Sequence, residues 1–344
     1  MRERRTLRTD GGADGLRRGQ HESGARRRAL RRAAARASAQ CPPVERFART
    51  IPRPAAACTM EPPAGRGAPH HQRGRTIMNT ASQPPVFTLH RGTLPLLVSI
   101  PHAGTHLPDD IAATMTPVAR HVDDCDWHLE RLYDFAKTLG ASVLVPSHAR
   151  YVVDLNRPPD DANLYPGQDT TGLVPVDTFD RAPLYAHGHE PTVTEIARRR
   201  ERYWAPYHGA LAGELQRLKD AHGRALLWEA HSIRSHVPRF FDGRLPDFNF
   251  GTSSGASAAP GLADKLAALV DRHGGYTAIA NGRFKGGYIT RHYGAPEQGV
   301  QAVQLELVQA TYMDETRPYS YDETRARRIA PLLEALVSAA LEHH

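Results

Sequence analysis

Three short apolar runs of this chain each end at a polar side chain that can bind a metal or move a proton. These side chains are His102, His231 and Glu306. The runs themselves occupy 95–100, 225–228 and 302–305. Short apolar runs bounded by turn residues predict buried strands. Because ligands of open α/β sheets bind beyond the carboxyl ends of their strands, we expect one site assembled from distant parts of the chain.

Predicted strands alternate with predicted helices from about residue 86 to the end, which predicts a layered α/β fold. The predicted strands lie at 95–100, 142–146, 150–155, 225–230, 276–280 and 301–308. The predicted helices lie at 124–139, 190–221, 260–273 and 322–342. No internal repeat or domain boundary interrupts this series, so we expect a single domain with long loops at 156–190 and 232–258.

Positive charge is concentrated before Met78. Residues 1–77 hold 18 of the 44 Lys and Arg residues and 6 of the 37 acids, a net charge of +12, whereas the remainder carries −5. The first segment has almost no aliphatic periodicity, so we expect it to be disordered. A nucleic-acid-binding arm and a transit peptide are alternatives for it. We favour a start at Met78, with 78–344 as one catalytic domain whose acidity argues against nucleic acid as a partner.

Nothing in the sequence indicates a membrane protein or a secreted one. No apolar run reaches the roughly 18 residues that a membrane-spanning helix requires, and no secretory signal pattern follows Met1 or Met78. After Met78 the chain has one cysteine, Cys125, which excludes an internal disulfide there and fits a reducing compartment. We therefore expect a cytoplasmic protein with a small-molecule substrate and no membrane partner.

His102 and His231 are the candidate metal ligands. His231 lies in a Glu-Ala-His-Ser segment, where Glu229 and Ser232 are placed to orient its ring. A histidine that follows a strand is more often structural, so the pair carries more weight than either residue. Catalytic zinc takes His and Asp or Glu ligands and keeps one position open for water. The sequence therefore predicts one divalent cation, Zn²⁺ in the first instance, and an acidic third ligand.

Asp123, Asp124 and Asp126 are the candidates for that third ligand. On the helix predicted over 124–139, positions 124 and 126 point about 200° apart, so they are not expected to serve one ion together. Asp123 or Asp124 suits the N-cap of that helix. We take Asp126 as the ligand and Asp124 as the alternative.

Glu306 lies inside an apolar strand, in Gln-Leu-Glu-Leu. A carboxylate there must be paired, metal-bound or catalytic, because an unpartnered buried charge is very costly. Beside an activated water it can take a proton and pass it to a leaving amine. The alternative is a structural ion pair with an arginine.

Asn156 and Arg157 begin the first long loop. The planar fork of arginine matches a carboxylate, so this pair predicts recognition of an acidic group. Arg291 is a second candidate for the same role. Three more arginines follow His231 and are placed to shape an anion-binding pocket: Arg234, Arg239 and Arg244.

Six segments of the chain carry a further signal. They are Pro-Leu-Leu-Val-Ser-Ile-Pro-His-Ala-Gly (95–104), Asp-Trp-His-Leu-Glu-Arg-Leu-Tyr (126–133), Val-Val-Asp-Leu-Asn-Arg-Pro-Pro (152–159), Glu-Ala-His-Ser (229–232), Gly-Gly-Tyr-Ile-Thr-Arg-His-Tyr-Gly (286–294) and Gln-Leu-Glu-Leu (304–307). In this order they resemble the N-formylglutamate deformylase (N-formylglutamate amidohydrolase) family over about 86–340. Six motifs in register are far more specific than any single one.

The resemblance implies a metal-dependent amidohydrolase that splits N-formyl-L-glutamate into formate and L-glutamate, the last step of a bacterial histidine-degradation route. It also implies a three-layer α/β/α fold with a mixed, mostly parallel sheet, similar to the zinc exopeptidases. By that kinship His102 and His231 correspond to metal ligands and Asp126 is the acidic partner. Zinc carboxypeptidases also have a carboxylate-binding Asn-Arg pair, which Asn156-Arg157 resembles, and a glutamate on a late strand as general base, which Glu306 resembles.

One position departs from the exopeptidase pattern. Those enzymes have a His-x-x-Glu pair of ligands, and Thr105 stands where the glutamate would be. The acidic ligand is therefore expected from elsewhere in the chain.

There are two alternatives to N-formylglutamate hydrolysis. One is a related zinc hydrolase for another N-acyl amino acid or a C-terminal residue, and the other is nucleic-acid binding through 1–77. A substrate panel separates the first, and salt-dependent binding with and without 1–77 separates the second.

Overall fold

The computed structural model describes residues 83–343. The predictions made for 1–77, including disorder, nucleic-acid binding and a start at Met78, lie outside the described residues. Within 83–343 the strands are Phe87–His90 (β1), Leu96–Ser99 (β2), Ser142–Pro146 (β3), Ala225–Ile233 (β4), Phe248–Gly251 (β5), Ala278–Ala280 (β6) and Val300–Val308 (β7). They form one seven-stranded sheet in the order β1-β3-β2-β4-β7-β5-β6.

The middle of the sheet is parallel. β3, β2, β4 and β7 run in the same direction, and β5 and β6 are parallel to each other. β1 pairs antiparallel with β3 at one edge, and β5 pairs antiparallel with β7. The central strands β2 and β4 are buried at every residue, as expected of parallel strands that are covered on both faces. The predicted mixed, mostly parallel sheet is confirmed.

Helices cover both faces of the sheet. They are Asp109–Ala112 (α1), Leu129–Leu132 (α2), Phe135–Leu139 (α3), Val193–Arg199 (α4), Ala205–His222 (α5), Leu262–His273 (α6), Tyr288–Tyr293 (α7) and Glu323–Glu342 (α8). Successive strand side chains point to opposite faces. Val98 therefore lies in a core with Leu266 and Leu333 of α6 and α8, whereas Leu97 lies in a second core with Leu211 of α5. The predicted three-layer α/β/α arrangement is confirmed.

The long predicted helices are present with small shifts at their ends. The helix predicted over 190–221 is observed as α4 and α5, joined by a π-helical turn at Arg200–Trp204. α8 starts after Asp322, whose carboxylate accepts from the Thr324 and Arg325 N–H groups as an N-cap. None of the helices between 83 and 343 is long and apolar enough to cross a membrane.

Two element predictions are wrong. The helix predicted over 124–139 is interrupted, because His128 has a left-handed backbone (φ 61°) and only α2 and α3 form after it. The strand predicted over 150–155 is a series of turns instead. The sequence analysis also missed β1, and it missed β5, whose Phe-Asn-Phe-Gly segment was included in the long loop at 232–258.

Candidate metal and catalytic site

The carboxyl ends of β2, β4 and β7 lie side by side and hold three of the predicted site residues. β4 pairs in parallel with both neighbours, and its register places His231 opposite Glu306 on β7. His102 lies in the turn that follows β2. The side chains are buried, with His102 4%, His231 3% and Glu306 8% exposed. The structure thus brings three positions that are distant in sequence to one edge of the sheet.

His102, Asp126 and His231 form a compact group of possible metal ligands. One ligand atom from each lies within 4.8 Å of the other two. Asp126 Oδ2 is 3.2 Å from His231 Nδ1 and 3.9 Å from His102 Nδ1. Two imidazole nitrogens and a carboxylate oxygen are a donor set typical of catalytic zinc. These residues therefore fit a divalent cation.

The other ring nitrogen of each histidine is held by a second carboxylate. His102 Nε2 lies 2.8 Å from Asp154 Oδ1, and His231 Nε2 lies 2.6 Å from Glu229 Oε1. A carboxylate at Nε2 favours the neutral tautomer with its proton on that nitrogen, which leaves the Nδ1 lone pair for a metal. Both rings are therefore oriented as metal-ligating histidines usually are.

These two outer carboxylates are themselves fixed. Asp154 forms a 2.7 Å ion pair with the buried Arg150, and Glu229 accepts a hydrogen bond from the Thr290 hydroxyl. Burial opposes the charged form of Asp154, but Arg150 and His102 outweigh it and hold the pKa of Asp154 well below its usual range. Asp154 therefore stays ionised and continues to accept from His102.

The carboxylates on either side of His231 favour a positive charge at its imidazole. Burial disfavours its imidazolium form, but the Glu229 and Asp126 carboxylates outweigh burial and raise the pKa of His231 to about 10. At His102, burial, aided by the charge of Arg150, lowers the pKa. The Asp126 and Glu229 carboxylates therefore favour a positive charge at this position, as a proton on His231 or as a metal ion bound to it.

Asp126 reaches the triad from a turn and not from a helix. The prediction that residues 124 and 126 lie on one helix is wrong, because residues 123–128 form turns and α2 begins only at Leu129. The backbone N–H of Asp126 donates to the carbonyl of His102 at 3.0 Å. This contact places its carboxylate beside both histidines.

The two neighbouring aspartates have other partners. Asp124 accepts from the Tyr151 hydroxyl at 2.7 Å and from the Phe179 N–H at 2.9 Å. Asp123 pairs with Arg317. No side chain caps the start of α2, so neither aspartate is the predicted N-cap. Asp124, the alternative ligand, lies outside the triad.

Glu306 faces the same cavity as the two histidines. Within 83–343 no side chain pairs with its carboxylate, so the alternative of a structural ion pair finds no partner. Burial raises the pKa of Glu306 to about 8, although the nearby charge of His231 opposes this shift. A carboxylate with a raised pKa is a stronger proton acceptor, as a general base requires.

The cavity beside the triad is lined by arginines as well as by Glu306. Arg157 lies in its wall and donates to the Thr171 carbonyl and hydroxyl at 2.7 and 3.0 Å. Asn156 also lines it, but its amide is engaged: Oδ1 accepts from the Ile289 N–H at 2.9 Å, and Nδ2 lies 3.1 Å from His231 Nε2. Arg157 is thus the charged member of the predicted pair, and its hydrogen-bond partners are neutral.

The other predicted arginines are placed differently. Arg291 does not line the cavity: its Nε donates to the Gly286 carbonyl, and its guanidinium lies 4.9 Å from the centre of the Tyr165 ring. The three arginines after His231 are paired with acids, as Arg234–Asp180, Arg239–Asp177 and Arg244–Asp247. Arg283, which the sequence analysis did not single out, lines the cavity instead.

The profile of one protein family, the N-formylglutamate amidohydrolases, matches residues 94–313. This range contains β2 to β7 and all the site residues described above. The chain belongs to this family. The prediction of a member of this family, an amidohydrolase that acts on an amide bond, is confirmed.

Members of the N-formylglutamate amidohydrolase family are similar to the chain over about three quarters of its length. The N-formylglutamate deformylase of Pseudomonas aeruginosa is 54% identical over 263 residues, which cover 75% of this chain and 98% of the relative. The N-formylglutamate deformylase of Pseudomonas putida is 51% identical over 256 residues, which cover 74% of this chain and 96% of the relative. The crystal structure of N-formylglutamate amidohydrolase from Ralstonia eutropha JMP134 matches with a TM-score of 0.64 and 27% sequence identity. The match covers 74% of this chain and 98% of that protein.

Sequence reasoning missed Asp154, which orients His102. Its signal was present: Asp154 stands between Val153 and Leu155, an acid among apolar residues like Glu306. The prediction that Glu229 orients His231 agrees with the observed contact. Ser232, predicted to share that role, instead accepts from the Tyr312 hydroxyl at 2.8 Å.

Proposed function

We propose that the chain hydrolyses N-formyl-L-glutamate to formate and L-glutamate, with one divalent cation held by His102, Asp126 and His231. Membership of the N-formylglutamate amidohydrolase family supports the substrate. The observation that carries the metal dependence is the buried triad, in which a second carboxylate orients each histidine. When bound, such an ion supplies Lewis-acid polarisation of a carbonyl and lowers the pKa of water. We take it to be Zn²⁺ because of the nitrogen and carboxylate donors.

Glu306 is the proposed general base and general acid. Its carboxylate takes a proton from a water molecule in the cavity, whose oxygen forms a bond to the formyl carbon. The carbon–nitrogen bond then breaks, and Glu306 returns the proton to the nitrogen of the departing glutamate. One water is consumed, and formate and L-glutamate are released. The position of Glu306 beside His231 and the cavity supports this role.

Arg157 is proposed to bind a substrate carboxylate. Its guanidinium is partly buried in the cavity wall and is held by Thr171, whose carbonyl and hydroxyl are both neutral. An arginine fork held in this way is preorganised for a carboxylate. Asn156 has a positioning role in this scheme, because its Oδ1 accepts from the Ile289 N–H and its amide packs against the His231 ring.

The biological setting is proposed from the same resemblance. We place the reaction at the last step of a histidine-degradation route, on the basis of family membership. We place the protein in the cytoplasm, because Cys125, the single cysteine of the described residues, is unpaired and buried, as fits a reducing compartment.

Formate release from N-formyl-L-glutamate tests the proposal directly. We expect the purified protein to release formate, to lose this activity on treatment with a chelator, and to regain it when Zn²⁺ is returned. A folded, zinc-loaded protein that released no formate would rule out the substrate. Activity that survived complete removal of metal, verified by elemental analysis, would rule out metal dependence.

Glu229 offers a test of metal binding that does not depend on turnover. Glu229→Gln keeps the shape of the side chain but removes the charge behind His231, so metal affinity should fall about 10- to 100-fold. Competition with a chromophoric chelator measures this affinity. Glu214→Gln is the matched control, because Glu214 is also buried but contacts Ser142 and Arg217 outside the cavity. Equal affinities for the two variants would contradict the proposed role of Glu229.

A further inference from the structure

Two arginines in the wall of the cavity lack an acidic partner. Arg157 and Arg283 have no carboxylate within 4.0 Å among the described residues, and their donors meet neutral groups. A third arginine of the same wall, Arg150, is paired and lies 2.7 Å from Asp154. The contrast separates arginines that hold the fold together from arginines whose charge is available.

Arg283 is held in place by neutral contacts. Its Nε donates to the Phe240 carbonyl at 2.6 Å, and its guanidinium carbon lies 5.5 Å from the ring centre of Phe284 and 5.9 Å from that of Tyr165. These contacts orient the fork without neutralising it. A half-buried guanidinium without an anion is costly, and burial accordingly lowers the pKa of Arg283. A ligand carboxylate would remove this cost.

The negative charge on the cavity wall does not satisfy Arg283. Asp169 lines the cavity, but it accepts from Arg239 at 3.2 Å and also from Arg181. Glu306 carries no ion pair to either unpaired arginine. The wall therefore presents two separate positive groups, one on the segment after Asn156 and one on the segment before Gly287.

We propose that Arg283 binds the side-chain carboxylate of the substrate while Arg157 binds its α-carboxylate. This inference rests on the proposed function. Arg157 follows Asn156, whose amide lies 3.1 Å from His231, and the α-carboxylate is the one nearer to the scissile amide. The more distant carboxylate is assigned to Arg283, on a different segment of the wall.

The inference predicts a charge-specific effect of one substitution. The test compares kcat/KM for N-formyl-L-glutamate and the neutral N-formyl-L-glutamine in wild-type enzyme, Arg283→Met and Arg291→Met. Arg283→Met should lose about 100-fold on the glutamate substrate, mostly through KM, because it removes one partner of a buried charge pair. It should change by less than about threefold on the glutamine substrate, which has no charge to lose there. Arg291→Met, the matched control outside the cavity, should show no such difference.

Binding of the product L-glutamate gives a second readout that needs no turnover. Calorimetry should show weaker binding of L-glutamate to Arg283→Met, partly restored in Arg283→Lys, while thermal unfolding shows that each variant is folded. Equal losses on both substrates, or a selective loss in Arg291→Met and not in Arg283→Met, would overturn the assignment of Arg283. Failure of the proposed function looks different, because the wild-type enzyme would then release no formate from N-formyl-L-glutamate.

Discussion

Replacing Glu306 with glutamine is expected to lower kcat for formate release by about a hundred- to ten-thousand-fold, which is the usual contribution of a positioned proton-transfer group. Glutamine fills the same space but cannot accept the proton of the attacking water. Because Glu306 loses no ion pair within 83–343, Tm should change little, and because it lies outside the triad, metal content should be retained. Initial rates, elemental analysis and thermal unfolding measure these three quantities.

Glu214→Gln is again the informative control. Glu214 is buried on α5 and accepts from Ser142 at 2.6 Å and from Arg217, so the same substitution there should lower Tm and leave kcat unchanged. The two variants should therefore show opposite signatures. If Glu306→Gln turned over substrate at the wild-type rate, another group would be the base. If it lost its metal, Glu306 would be a ligand.

The convergence of His102, His231 and Glu306 could be predicted because each follows or ends an apolar run. Burial on both faces makes such runs recognisable, and parallel strands bring their carboxyl ends to one edge of a sheet. The observed register confirms that β4 lies between β2 and β7. This part of the site follows from local sequence and one general rule of sheet architecture.

The sequence predicts Asp126 as a ligand on a helix that does not form. Helical spacing distinguishes Asp126 from Asp124, whereas in the structure the chain is held in a turn by the contact between the Asp126 N–H and the His102 carbonyl. That contact joins two loops and has no local signal. The positive φ of His128 interrupts the predicted helix, and the ring of His128 contacts the carbonyl of Tyr319, which is far away along the chain.

Apart from Arg157, the roles of the arginines could not be read from the sequence. Arg239 pairs with Asp169 and Asp177, whereas Arg283 lines the cavity and has no carboxylate within 4.0 Å among the described residues. An arginine's available charge depends on which acids the fold brings to it, and those acids lie far away along the chain. The sequence predicts Arg291 for carboxylate binding and does not single out Arg283, which is the one that lines the cavity.

Replacing His231 with glutamine is expected to have the largest effect of all. Loss of an outer partner of a metal ligand typically costs about 10- to 100-fold in affinity, so loss of a ligand itself should cost more. Formate release should fall by about a thousand-fold or more, since the bound ion is expected to supply several kcal/mol of transition-state stabilisation. Elemental analysis after dialysis and a chelator-competition titration measure the loss of metal.

His231→Gln also leaves Asp126 and Glu229 buried without the imidazole between them, so a loss of stability will accompany the loss of metal. His102→Gln separates the two effects, because the carboxylate behind His102, that of Asp154, keeps its ion pair with Arg150. His148→Gln is the matched control: this histidine is buried and contacts His106, but it is not part of the triad. The two variants differ only in which buried imidazole they lack. If folded His102→Gln bound metal as tightly as His148→Gln, the triad would not be the metal site. Loss of metal in His102→Gln alone would establish the triad as the metal site.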